Sequence, residues 1–170
     1  MTDRYDNFPQ NIHLTETFET SISKQKTQQK IAQAFHELNR KSFTFEETGS
    51  PVMPNCSVIF MFGIAEEGTF NFLNKAEAQK LHETLNSETL KMMDWFCAIR
   101  YYKNTQPKKT PLKFDYYLLR LYFDEKNTVQ FIVSHDRGPR YISPQGFVEF
   151  IVKNVNGTAN RKTLKPKTND

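Results

Sequence analysis

The chain has little of what would name a chemistry outright. Two cysteines in 170 residues, Cys56 and Cys97, are too few for a disulfide-rich scaffold or an all-cysteine zinc site. The 4 histidines, His13, His36, His82 and His135, are scattered with no second histidine at ligand spacing, so no metal is expected. Glycine-rich phosphate loops are missing too, since Phe62-Gly63-Ile64 stands without further glycines. The longest apolar run, from Val58 to Ala65 and counting Gly63, falls far short of the roughly 20 residues a membrane span needs. No basic start leads into an apolar stretch and a small-residue cleavage site, so no secretory signal is expected. These absences describe a soluble, cytoplasmic protein without cofactor, long enough for one domain with its own core.

What is present is unevenly placed charge. Residues 1–99 hold 9 Lys and Arg against 13 Asp and Glu, whereas residues 100–170 hold 14 against 6. The net +4 therefore divides into −4 and +8, which points to a polyanionic partner at the C-terminal half or to a plain solvated basic surface.

Polar residues dominate 1–19, which reads as a flexible lead-in with at most a short docked piece around Ile12 to Phe18. From Ser21 to Asn39, Ile31, Phe35 and Leu38 recur at helical spacing with Ala34 beside them, an amphipathic helix. Ser42 to Glu47 alternates as a short strand, and Ser57 to Ala65, Glu66-Glu67-Gly68 and Thr69 to Leu73 read as a hairpin. Asn74 with Glu77 three residues on signals a capped helix carrying Ala78, Leu81 and Leu85. Three strand-like segments follow, Trp95 to Lys103, Lys113 to Asp124 and Thr128 to His135. Ser143-Pro144 then opens a last helix with Phe147, Phe150 and Ile151 on one side. Residues 156–170 are basic and almost without apolar side chains, a disordered tail. The expected fold over 20–155 is α+β, with a mainly antiparallel sheet of about five to six strands and two to three helices on one face.

Period-2 alternation sends Trp95, Cys97, Ile99 and Tyr101 inward, with Tyr117, Leu119, Leu121 and Phe123. It leaves Phe96, Ala98, Arg100 and Tyr102, with Tyr116, Leu118, Arg120 and Tyr122, on the opposite face. Arg100, Tyr102, Tyr116, Arg120 and Tyr122 would then share an open face if these strands are neighbours. Aromatic rings interleaved with guanidinium groups are what stacking on unpaired bases and holding phosphates require. Lys103, Lys108 and Lys109 at the strand ends, with Arg137 and Arg140 in the turn Arg137-Gly138-Pro139-Arg140, would add phosphate contacts. Tyr and Arg are equally at home on a half-buried sheet face or under a partner protein.

His135 beside Asp136 invites an acid–base reading, but neighbours on a strand point to opposite sides and cannot form a dyad unless the chain turns. The expectation is a non-catalytic nucleic-acid-binding protein, single strands favoured, acting as an accessory subunit of a nucleic-acid-processing complex. The alternative is a protein-interaction module whose aromatic sheet face docks a partner subunit. A third reading, a small enzyme or ligand-binding cup, has few titratable residues to work with besides His135 and Asp136.

Overall fold

The computed structural model describes residues 5–39, 41–48, 56–103, 111–123, 127–157 and 161–167. Among them the chain runs β1 (Leu14–Thr20), α1 (Lys24–Leu38), β2 (Ser42–Thr44), β3 (Cys56–Glu66), β4 (Thr69–Phe72) and α2 (Lys75–Ser87). It continues through β5 (Met92–Lys103), β6 (Pro111–Phe123), β7 (Thr128–Arg137), α3 (Pro144–Asn156) and β8 (Leu164–Pro166).

Each helix begins where a side chain can accept an otherwise unpaired N–H. Ser23 accepts from Lys26, Asn74 from Glu77 at 2.9 Å, and Ser143 from Gly146 at 3.0 Å with Pro144 in the first turn. The β3–β4 connection is the two-residue turn Glu67-Gly68, both at positive φ, the geometry that matches strand twist in a tight hairpin.

The strands form one antiparallel sheet in the order β2-β3-β5-β6-β7-β1-β8, with β4 also pairing β3. An α+β fold with helices on one face is therefore present, with eight strands among the described residues where five to six were expected. The additional strands are β1 and β8, in the segments read as flexible lead-in and disordered tail. β1 pairs with β7 over six residues and buries Phe18. β8 is only three residues long, too short for a period, and is held by a side-chain amide. Asn156 donates to the Leu164 carbonyl at 3.0 Å and accepts from the Leu164 N–H at 2.8 Å, while the Leu164 side chain is fully buried.

One face of the sheet carries the core. Val58, Phe60, Phe62, Trp95, Ile99, Leu119, Leu121, Phe131 and Val133 are all buried. Phe35 of α1 stacks on Phe62 at 4.2 Å and meets Trp95 edge-on at 4.7 Å. From α3, Phe150 stacks on Phe60 at 4.8 Å and Phe147 on Tyr117 at 4.5 Å. α2 lies beside α1, and the Gln28 side chain clamps the backbone after α2, donating to the Leu90 carbonyl and accepting its N–H. With all this on one side, the opposite face of the sheet is left, among the described residues, to 5–13.

Candidate nucleic-acid interface

Register decides what the opposite face shows. β5 and β6 pair Arg100 with Phe114, Ala98 with Tyr116, Phe96 with Leu118, Asp94 with Arg120 and Met92 with Tyr122. β4 adds Phe70 and Phe72 beyond β3. The rings form a row across strands: Phe70 lies 5.8 Å from Phe96, Phe96 5.8 Å from Tyr116, and Tyr116 5.9 Å from Phe114 at 9° between planes. All four are half-buried, so each keeps surface in water. Cations cap the row. The Arg137 guanidinium stands 4.7 Å from the Tyr116 ring centre and that of Arg100 stands 5.8 Å from Phe114, within cation–π reach.

Arg137 reaches this row through a bulge. Tyr117 pairs with His135, but Tyr116 pairs with Arg137, so Asp136 is an extra residue that restores Arg137 to the aromatic side. Simple alternation would have sent it to the helix side. Arg100 is half-buried, its Nε has no hydrogen-bond partner, and it meets no carboxylate among the described residues.

The remaining expected residues divide. Tyr122 lies on the same face, with Lys91 Nζ 5.9 Å from its ring centre, but six residues along β6 from Tyr116, roughly 20 Å away. Lys103 is exposed at the end of β5 and alternates to the helix side, so it borders the row without joining it. Lys108 and Lys109 lie outside the described residues.

Three of the expected residues do not join the exposed row. Tyr102 alternates to the correct face but is only 8% exposed, leaving too little ring to stack a base. Arg120 is engaged: its Nε and Nη2 grip the fully buried Asp94 carboxylate at 2.8 and 2.9 Å, and Phe8 covers its guanidinium at 4.4 Å. Arg140 sits on the helix side, where its Nε donates to His135 Nδ1 at 3.3 Å.

In that second cluster His135 and Asp136 part company. Asp136 is exposed and meets Arg137 at 3.5 Å, while His135 turns inward to Asp115, with Nε2 at 2.8 Å from its Oδ1. With Arg140 donating to Nδ1, the Nε2 proton points at Asp115. The fully buried Asp115 also accepts from the Tyr101 hydroxyl at 2.5 Å and from the N–H groups of Arg140 and Tyr141 at 2.8 and 3.1 Å. Burial first, then the Asp115 charge, pushes the Tyr101 and Tyr117 hydroxyls far above the ordinary tyrosine range, so both remain donors. Tyr117 spends its proton on the Ile142 carbonyl. The cluster pins residues 138–142 to the sheet. Gly138 is required there: at φ +121° a Cβ would stand 2.3 Å from the Phe114 carbonyl oxygen. Among the described residues, no group of three or more His, Cys, Asp or Glu could hold a metal ion.

His13 joins the cluster from β1's leading end, its Nδ1 accepting from the His135 N–H at 3.0 Å. Burial first, then the nearby Arg140 guanidinium, lowers its pKa from 6.5. A lowered folded value means the unfolded chain binds more protons below 6.5. This contribution to stability is thus complete above 6.5 and lost as pH falls through the folded value. In an NMR titration the His13 ring should show its midpoint below 6.5, and a midpoint at or above 6.5 would contradict the contact.

Phe70, Phe72, Phe114 and Asp94 completed the face without being singled out by sequence. No helix of the described residues is long and apolar enough to cross a membrane. Compared with family models, curated proteins and solved structures, the chain matches none.

Proposed function

We propose that this protein binds single-stranded nucleic acid on the face of the sheet opposite its helices. The supporting observation is the continuous row Phe70, Phe96, Tyr116 and Phe114, capped by Arg137 and Arg100. Every base has a π-face, so such a row tolerates many sequences, while the guanidinium groups take phosphates. The +8 of residues 100–170 supplies long-range attraction to the same ligand. In this reading the protein catalyses nothing itself and serves as an accessory subunit of a nucleic-acid-processing assembly in the cytoplasm. Its two buried cysteines, both unpaired, fit a reducing compartment.

A second reading is favoured by one residue. Phe72, 45% exposed on β4, is an apolar side chain at the margin of the row that suits a protein partner.

The test is titration of a fluorescent 20-mer, DNA and RNA in parallel, at two salt concentrations. Affinity should fall steeply with salt. Phe114→Ala with Tyr116→Ala should weaken binding about tenfold or more, given ~1–3 kcal/mol per stacked base. Arg100→Ala with Arg137→Ala should reduce the salt slope by about two. No binding at low salt would remove this reading and leave the docking module.

A further inference from the structure

We infer that residues 5–12 are a displaceable strap, which covers Arg120 and flanks Phe70 on the open face in the free protein and is exchanged for the bound strand. The inference rests on the nucleic-acid reading above and assigns that site its regulation.

The strap's two rings do in cis what bases would do on binding. Phe8 lies over the Arg120 guanidinium at 4.4 Å, and Tyr5 packs on Phe70 at 4.7 Å, extending the ring row by one member. Arg120, expected from sequence to be a ligand-binding residue, is thus already satisfied by an internal substitute. Tyr5 is further held at its backbone. Its N–H donates to Asp94 Oδ2 at 2.6 Å, and its carbonyl accepts from Arg120 Nη2 at 3.1 Å.

Its release is clean. Residues 5–12 belong to no strand or helix, and Asp6, Asn7, Gln10, Asn11 and Ile12 are exposed. Beyond Tyr5, its attachments include the Ser134 hydroxyl on the Asn11 carbonyl at 2.8 Å and the start of β1 pairing at His13. Lifting the strap leaves no buried charge alone, because Arg120 and Asp94 keep their two mutual hydrogen bonds. The freed N–H and C=O of Tyr5 pass to water. What is uncovered is the flat side of Arg120 and the outer side of Phe70. Arg120 lies between Tyr116 and Tyr122 on β6, so its exposure joins the two ends of the face into one track of roughly 20 Å. A protein whose competent state is only partly populated shows an affinity reduced by that fraction.

The experiment uses the full chain carrying Tyr5→Ala and Phe8→Ala together, titrated with the 20-mer single strand beside the unaltered protein. The double variant should bind about fivefold to tenfold tighter, as expected for removal of a competing occupant. A labelled peptide of residues 1–12, added in trans to the variant, should bind saturably and be driven off by the oligonucleotide. Equal or weaker oligonucleotide binding by the variant, with the unaltered protein binding, overturns the strap. So does oligonucleotide binding that leaves the peptide in place. If neither protein binds any strand, the nucleic-acid reading falls and the exchange with it; saturable peptide binding would then locate the failure in the ligand and not in the recess.

Discussion

Arg120→Ala should lower the unfolding free energy by about 3–5 kcal/mol, the range for removing one partner of a buried ion pair. Asp94 is wholly inaccessible, and its carboxylate takes both Arg120 hydrogen bonds besides the Tyr5 N–H. Without the guanidinium, a negative charge remains in a place water does not reach. Chemical denaturation measures the loss directly. Replacing both partners by apolar residues, Asp94→Leu with Arg120→Met, should recover most of it, because the cost lies in the orphaned charge and not in a missing attraction. A loss below ~1 kcal/mol for Arg120→Ala would mean that solvent reaches Asp94. Arg100→Ala should behave oppositely. Its Nε is buried without a partner, so its removal should leave stability within about 0.5 kcal/mol while reducing binding. Two arginines on one face of one sheet are thereby separated by how much the fold depends on each.

Asp115→Ala should cost at least ~4 kcal/mol, since it orphans four donors at once and each stranded donor carries a penalty of ~1–3 kcal/mol that does not add simply. Those donors are the Tyr101 hydroxyl, His135 Nε2 and the N–H groups of Arg140 and Tyr141. Asp115→Asn should cost less, keeping one acceptor but turning an amide NH2 toward groups that also donate. Hydrogen exchange distinguishes this loss from a general loosening. The amides of Arg140 and Tyr141 should lose protection first, because they bond to the carboxylate itself, while those of β5 and β6 retain their strand partners. Uniform loss of protection across the sheet would assign Asp115 to the core as a whole and not to the loop.

The sequence rules that succeeded here are local ones. Asn74 and Ser143 cap their helices through contacts three residues long, and alternation along β5 and β6 sorts Trp95 and Tyr117 from Phe96 and Tyr116 without reference to anything distant. The placements that differ need a partner strand to be known. Arg120 looks like a free cation until register sets Asp94 opposite it, 26 residues away. Arg137 changes face because of one extra residue, Asp136, which no period reveals. Arg140 is turned to the helix side by a loop whose anchor, Asp115, lies on another strand. β1 and β8 escaped because neither has enough apolar positions to show a pattern, Phe18 and Leu164 being their only fully buried hydrophobic residues.

The shortness of the outermost strands has a bearing on how the protein behaves at high concentration. A broad antiparallel sheet exposes unpaired N–H and C=O groups at its margins, which invite another chain to add on. Here one margin ends in β8, three residues reading Leu164-Lys165-Pro166, and the other in the three-residue β2 with the four-residue β4 beside it. Pro166 offers no N–H to a newcomer and Lys165 brings a charge that two copies would have to bring together. The chain keeps its long strands, β3, β5, β6 and β7, in the interior of the sheet, where each is paired on both sides. The segments best suited to template a fibril are thereby the ones held away from the sheet's margins.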